Sequence, residues 1–263
     1  MNSFFSPLGL SGDNPFSSRV SDFFVTEQAK AALARLTPIL ELGGIALLVG
    51  EPGMGKSTLL DHLLAERVDT NRFRVVRVDF TNLSAGSFLR QLVYALGERP
   101  KRSKADVVQQ LLALCLCIPQ WLLFAVDEAH HLGPEALEDV RLLLTILGQR
   151  KMLAVILAGH PELRDLLRSP LQQSLSQRVL LRCILRGWTL QETCRYLSER
   201  LGVMGASERF MDTPAMEALY HYAKGNPRVI AQTMTACLIH MVLEGQKSLD
   251  VDSFKRVLAG MEG

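Results

Sequence analysis

Ile45-Ala46-Leu47-Leu48-Val49-Gly50-Glu51-Pro52-Gly53-Met54-Gly55-Lys56-Ser57-Thr58 is the stretch that decides the fold. Its first five residues read as a short buried strand, and Ser57 to Arg67 reads as a helix opening behind the turn. Between them, Gly50 to Ser57 fits G-x-x-x-x-G-K-[ST], the phosphate-binding P-loop. Such a loop must aim backbone N–H groups at phosphate oxygens, and Gly50, Gly53 and Gly55 permit the tight wrap because they lack a Cβ. Lys56 then supplies a cation for the β- and γ-phosphates, and the Ser57 hydroxyl a ligand for Mg²⁺. A phosphate at the helix N-terminus also gains from the aligned backbone dipoles. Gly50 to Thr58 is therefore the expected ATP-binding segment.

Outward from this loop, strand and helix patterns alternate. Phe73 to Phe80 alternates and is β-branched; helices are expected at about 84–97 and 103–117. Trp121 to Val126 is an uninterrupted apolar strand ending in Asp127-Glu128. A helix at about 134–148 follows, then a strand from Met152 to Ala158. Leu163 to Gln177 reads as helix broken at Pro170, and Val179 to Leu185 as a fifth strand. Upstream, an apolar-periodic helix runs from Thr26-Glu27 to Leu40, with Thr26 as N-cap and Gly43-Gly44 as its end. Beyond Gly187-Trp188 only helices remain, at 189–201, 212–223, 226–243 and 250–260.

This order predicts an α/β fold: a five-stranded parallel sheet flanked by helices, with a C-terminal α-helical lid. Three segments are expected: an N-terminal anchoring segment over 1–25 carrying five phenylalanines, an α/β core over 26–186, and a helical bundle over 187–263.

Composition narrows the class. The 263 residues are 48% hydrophobic and 21% charged, as in an ordinary globular chain. Net charge is +2, so nucleic-acid affinity would need a local patch. One such run exists, Arg99-Pro100-Lys101-Arg102-Ser103-Lys104, with Arg90 one helix earlier. Those five basic residues are the candidate contacts to duplex DNA, against the alternative of a solvated loop. The five scattered cysteines form no paired framework and suit reduced thiols. There is no secretory signal pattern, and Leu111 to Val126 is too short to span a bilayer, so a cytoplasmic location is expected.

Asp127-Glu128 at a strand end, about 70 residues past a P-loop, has the form of a Walker B element. Asp127 would hold Mg²⁺ beside Ser57, and Glu128 would act as general base toward the attacking water. His130-His131 follow directly, but adjacent histidines on a regular element cannot both face one ion, so zinc is not expected there.

LLVGEPGMGKST, LLFAVDEAHHL, VILAGHPELRDLL, SLSQRV and GNPRVI occur in this order, with NPFSS near the start. Together they resemble the ExeA-type AAA+ ATPases, relatives of the transposition ATPases TnsC and TniB. The resemblance implies ATP hydrolysis at the subunit interfaces of a homo-oligomer, as a ring or a helical filament. It places His160 at sensor 1, where relatives more often carry Gln or Thr; a polar loop residue is the other reading. It places the arginine finger, acting on the neighbouring subunit, at Arg178, with Arg182 as runner-up. Arg228 takes the sensor 2 position at the start of a lid helix.

For the biological role, the resemblance and the basic run together favour an ATP-dependent DNA-bound helper that recruits or activates a transposase. An ExeA-like assembly ATPase of a secretion or pilus system is the alternative; the expectation against it is that the sequence ends at Gly263 with no membrane span. A nucleotide-switch scaffold acting on protein partners is the third reading.

Overall fold

The computed structural model describes residues 4–11, 14–16, 23–79, 85–207 and 209–261. Phe80, the first residue of the helix expected from 84, and parts of the 1–25 segment lie outside the described residues. The chain forms two compact units: Glu27–Pro52 with Lys56–Leu185, and Met1–Thr26 with Gly53–Gly55 and Arg186–Gly263.

The larger unit is built on five parallel strands: β1 (Gly44–Gly50), β2 (Phe73–Asp79), β3 (Trp121–Asp127), β4 (Leu153–Gly159) and β5 (Val179–Leu185), in the order β2-β3-β4-β1-β5. β4 is buried along its whole length, as an interior parallel strand must be when helices cover the sheet. The edge strands β2 and β5 each keep exposed positions, which explains why Phe73 to Asp79 alternates while Leu153 to Gly159 does not.

Helices connect the strands: α1 (Glu27–Leu36), α2 (Ile39–Leu42), α3 (Lys56–Arg67), α4 (Ala85–Ala95), α5 (Lys104–Cys117), α6 (Pro134–Leu147), α7 (Pro161–Arg168) and α8 (Gln173–Ser176). The helix expected to run through to Leu40 is in fact two. Pro38 has no N–H and disfavours helical backbone at Thr37, so α1 stops at Leu36 and a single further turn follows. The stretch after β4 likewise divides, with a 3₁₀ turn at Pro170–Gln172 between α7 and α8. Ser103 caps α5 by accepting the Asp106 N–H at 3.1 Å, a contact worth about 1 kcal/mol. At the other end of α5, the Lys151 ammonium donates to the carbonyls of Cys115 and Ile118. The core of this unit joins β1–β4 to α4, α5 and α6 through residues such as Phe88, Leu111, Phe124 and Leu137.

The smaller unit holds α9 (Leu190–Val203), α10 (Thr213–Ala223), α11 (Pro227–Glu244) and α12 (Val251–Met261). All four helices start on side-chain caps: Thr189 in a capping box with Glu192, Asp212, Asn226, and Asp250, which accepts the Ser253 N–H at 2.8 Å. Aromatics of the N-terminal stretch pack here. Phe16 and Phe24 both meet the Tyr196 ring edge-on, and Phe24 also packs on Trp188. Burial pushes the Cys115 thiol up to about 11 and Cys237 up to about 12, so both are apolar filler rather than reactive groups.

Candidate functional site

The sheet order brings together the strand ends that the sequence singles out. β4 lies between β3 and β1, with Val126 beside Leu157 and Val49 beside Gly159. The carboxyl ends of three adjacent strands therefore deliver Asp127-Glu128, Gly159-His160 and Gly50-Glu51 to one edge. That edge is where parallel α/β sheets bind ligands.

Gly53 and Gly55 have φ of +82° and +83°, the left-handed backbone that the wrapped loop demands. A Cβ on Gly55 would meet nothing within 4 Å, whereas one on Gly53 would lie 2.5 Å from Asn226 Oδ1. Lys56 opens α3 and is buried, its ammonium donating to the carbonyls of Gly50 at 2.8 Å and Glu51 at 3.0 Å. Ser57 and Thr58 stand half-buried in the first turn of α3.

Asp127 is buried at the end of β3, and its Oδ1 accepts the Glu128 N–H at 2.8 Å. Its other oxygen lies 3.9 Å from the Arg77 guanidinium, which also pairs with Asp79 at 2.7 Å and with Asp61 on α3. Nothing in the sequence motifs marks Arg77. Its one signal is a charged residue at a mid-strand position, tolerable because β2 is an edge strand.

Glu128 takes left-handed backbone, φ 48° and ψ 33°, a strained state for a residue with a side chain. A 3₁₀ turn over Ala129–His131 follows, closed by His131 N–H to Glu128 O at 3.0 Å. The turn overturns the expectation that His130 and His131 diverge. Their ring centroids are 4.0 Å apart, and Glu128, His130 and His131 offer ligand atoms within 4.8 Å of one another. The Glu128 carboxylate also lies 3.6 Å from His160 Nε2, so the histidine ending β4 faces the acid ending β3. His130 stacks on His160 at 3.8 Å and accepts the His160 N–H on Nδ1 at 3.3 Å. Gly159 makes this packing feasible, because a Cβ there would sit 3.0 Å from the His130 nitrogen. Burial, with the His160 and His131 rings, holds His130 below its ordinary value.

Arg228 follows Asn226, whose side chain accepts its N–H at 3.1 Å, and the same N–H points at Gly53 O at 3.4 Å. Its side chain is exposed. Arg178 lies half-buried in the turn between α8 and β5, with its N–H on Leu175 O. Arg182 is exposed and reaches back to the Ser176 carbonyl. Of the basic run, Arg99, Lys101 and Arg102 are exposed. Arg90 instead donates to the Lys101 carbonyl at 2.7 Å, bracing the loop, and Lys104 pairs with buried Asp139 at 3.0 Å. Those two cations are engaged within the protein.

A family model described as an AAA domain matches residues 40–167, a span running from β1 through the P-loop, Asp127-Glu128 and His160. Those residues carry the AAA fold. General secretion pathway protein A of Aeromonas hydrophila is 31% identical over 257 residues, covering 92% of this chain and 47% of that protein. The chain thus spans about half the length of this curated relative. Among solved structures, the Thermotoga maritima RuvB Holliday junction branch migration motor superposes with a TM-score of 0.63 at 17% identity, over 93% of this chain and 72% of that one. The Aeropyrum pernix ORC1 protein in complex with DNA gives 0.67 at 15%, over 91% and 67%. At such identities these likenesses establish the AAA fold and nothing finer. Among the described residues, no helix is long and apolar enough to cross a membrane.

Proposed function

We propose that this AAA domain binds ATP with Mg²⁺ at the carboxyl edge of the sheet and hydrolyses it, and that the cycle drives assembly of a larger complex. The observation that carries the ATPase reading is the buried Lys56 ammonium on the Gly50 and Glu51 carbonyls, on the edge that also carries Asp127 and Glu128.

The residues present fit the nucleotide. The open space before Gly55 can admit a phosphate, and Lys56 can turn from neutral carbonyls to phosphate oxygens. Ser57 and Asp127 supply the hard oxygen donors that Mg²⁺ prefers. When bound, Mg²⁺ would neutralise charge on the β- and γ-phosphate oxygens. Glu128 would accept a proton from the attacking water, and His160, 3.6 Å from that carboxylate, is placed to orient it. Arg228, with its backbone against Gly53, would register the state of the loop. Arg178 would act on the nucleotide of a second copy, making turnover depend on oligomer formation.

For the work done, the secretion-pathway relative favours assembly of a secretion or pilus component. A second reading, a DNA-bound ATPase that recruits a partner such as a transposase, draws support from exposed Arg99, Lys101 and Arg102. Both are tested by ATP turnover against protein concentration, with and without duplex DNA at moderate salt. A steep rise with concentration supports action in trans. Stimulation by DNA, lost when Arg99, Lys101 and Arg102 are reversed in charge, selects the DNA reading. Turnover indifferent to DNA selects the protein-directed one.

A further inference from the structure

We propose that Glu128, His130 and His131 form a binding site for a divalent ion of the zinc class, and that its occupancy blocks ATP hydrolysis. The inhibitory half rests on the reading of Glu128 as the hydrolytic base; the binding half does not.

The donor set is the first argument. Two imidazoles and one carboxylate are the protein ligands of open, three-residue zinc sites, which leave a fourth position for water or another ligand. Spacing is the second. With bonds of 2.0–2.1 Å, tetrahedral geometry sets neighbouring ligand atoms about 3.4 Å apart. Glu128 Oε2 and His130 Nδ1 are 3.4 Å apart, and an ion bound there would replace the His160 N–H on the Nδ1 lone pair. A charge-assisted hydrogen bond between these groups would draw them to about 2.8 Å. The three ligand atoms all lie within 4.8 Å of one another, so small rotations of the side chains close them on one ion.

The local backbone is the third argument. Left-handed Glu128 and the 3₁₀ turn behind it bring both rings to the same side, and stacking on His160 fixes the inner ring. Exposed His131 provides an entry from solvent. Mg²⁺ does not compete, because it favours oxygen donors and holds its waters, whereas imidazole suits zinc.

An ion held by Glu128 would occupy the carboxylate needed as a base and cancel its charge. ATP would still bind, since Lys56, Ser57 and Asp127 are outside the cluster. The site would therefore stop the cycle in its ATP-bound state.

The test is calorimetric titration of zinc into the intact protein, with excess Mg²⁺ and ADP filling the nucleotide site. Wild type should take up one ion per chain. His131→Gln, on an exposed ring that leaves the fold untouched, should weaken binding by at least about tenfold, the scale on which even outer-sphere partners act. His131→Gln should also keep its Mg²⁺-ATP turnover and resist zinc concentrations that silence wild type. Equal zinc affinity in the two proteins would overturn the site. Undiminished wild-type turnover with the site filled would overturn the inhibition. A chain that binds zinc through His131 but turns over no ATP even without zinc would instead refute the ATPase reading and leave the metal site standing.

Discussion

Lys104 holds the buried carboxylate of Asp139 across 3.0 Å, tying the end of the basic run to α6. The second Asp139 oxygen has no hydrogen-bond partner among the described residues. Burial raises the Asp139 pKa, and Lys104 opposes that rise. A carboxyl whose folded pKa is raised favours the folded state below its unfolded value, and that contribution is lost as pH rises through the folded one. Lys104→Ala removes the opposing charge and widens the shift. The variant should lose about 1–3 kcal/mol at neutral pH, toward the lower end because Lys104 is half exposed. The deficit should shrink as pH falls through the carboxylate range. Chemical denaturation at pH 7 and pH 4 checks this, and an equal deficit at both would contradict it.

Gly53 and Gly55 share a backbone state but not surroundings. Alanine at either position costs about 1–3 kcal/mol of strain at positive φ. At Gly53 the new methyl would also meet Asn226, the cap of α11, at 2.5 Å. Gly53→Ala should therefore melt at a lower temperature than Gly55→Ala. The reverse order would show that Asn226 does not depend on the loop.

Arg77 is the cation on which Asp61, Asp79 and Asp127 converge. Arg77→Met leaves these carboxylates without it, so the variant should melt lower in metal-free buffer. Millimolar Mg²⁺ should restore more of that loss than it adds to wild type, by screening the like charges. An identical Mg²⁺ response in both proteins would remove Arg77 from the metal side of the site.

How much was legible beforehand follows from what is local in the chain. The interior strands β1, β3 and β4 announce themselves because buried parallel strands are unbroken apolar runs, the edge strand β2 by its alternation, and Val179–Leu185 begins and ends as read. The break at Pro38 was also legible, had its missing N–H been weighed against the periodicity. The histidine cluster was not. It depends on one residue, Glu128, entering left-handed backbone, which nothing in its side-chain type predicts. Nor could a run of positive charge reveal which members are engaged: Lys104 and Arg90 find their partners in Asp139 and the Lys101 carbonyl, 35 and 11 residues away.

The proposed hydrolysis turns on Glu128. The direct measurement is ATP turnover and bound nucleotide in Glu128→Gln beside wild type and Lys56→Ala, in Mg²⁺ buffer free of zinc. Glutamine cannot take the proton from water, so turnover should fall by about 10²–10⁴-fold while ATP stays bound. Lys56→Ala should instead lose nucleotide, about 10- to 100-fold in affinity for one charged contact. Wild-type turnover in Glu128→Gln, or full nucleotide affinity in Lys56→Ala, would contradict the assignment of this sheet edge as an ATPase site.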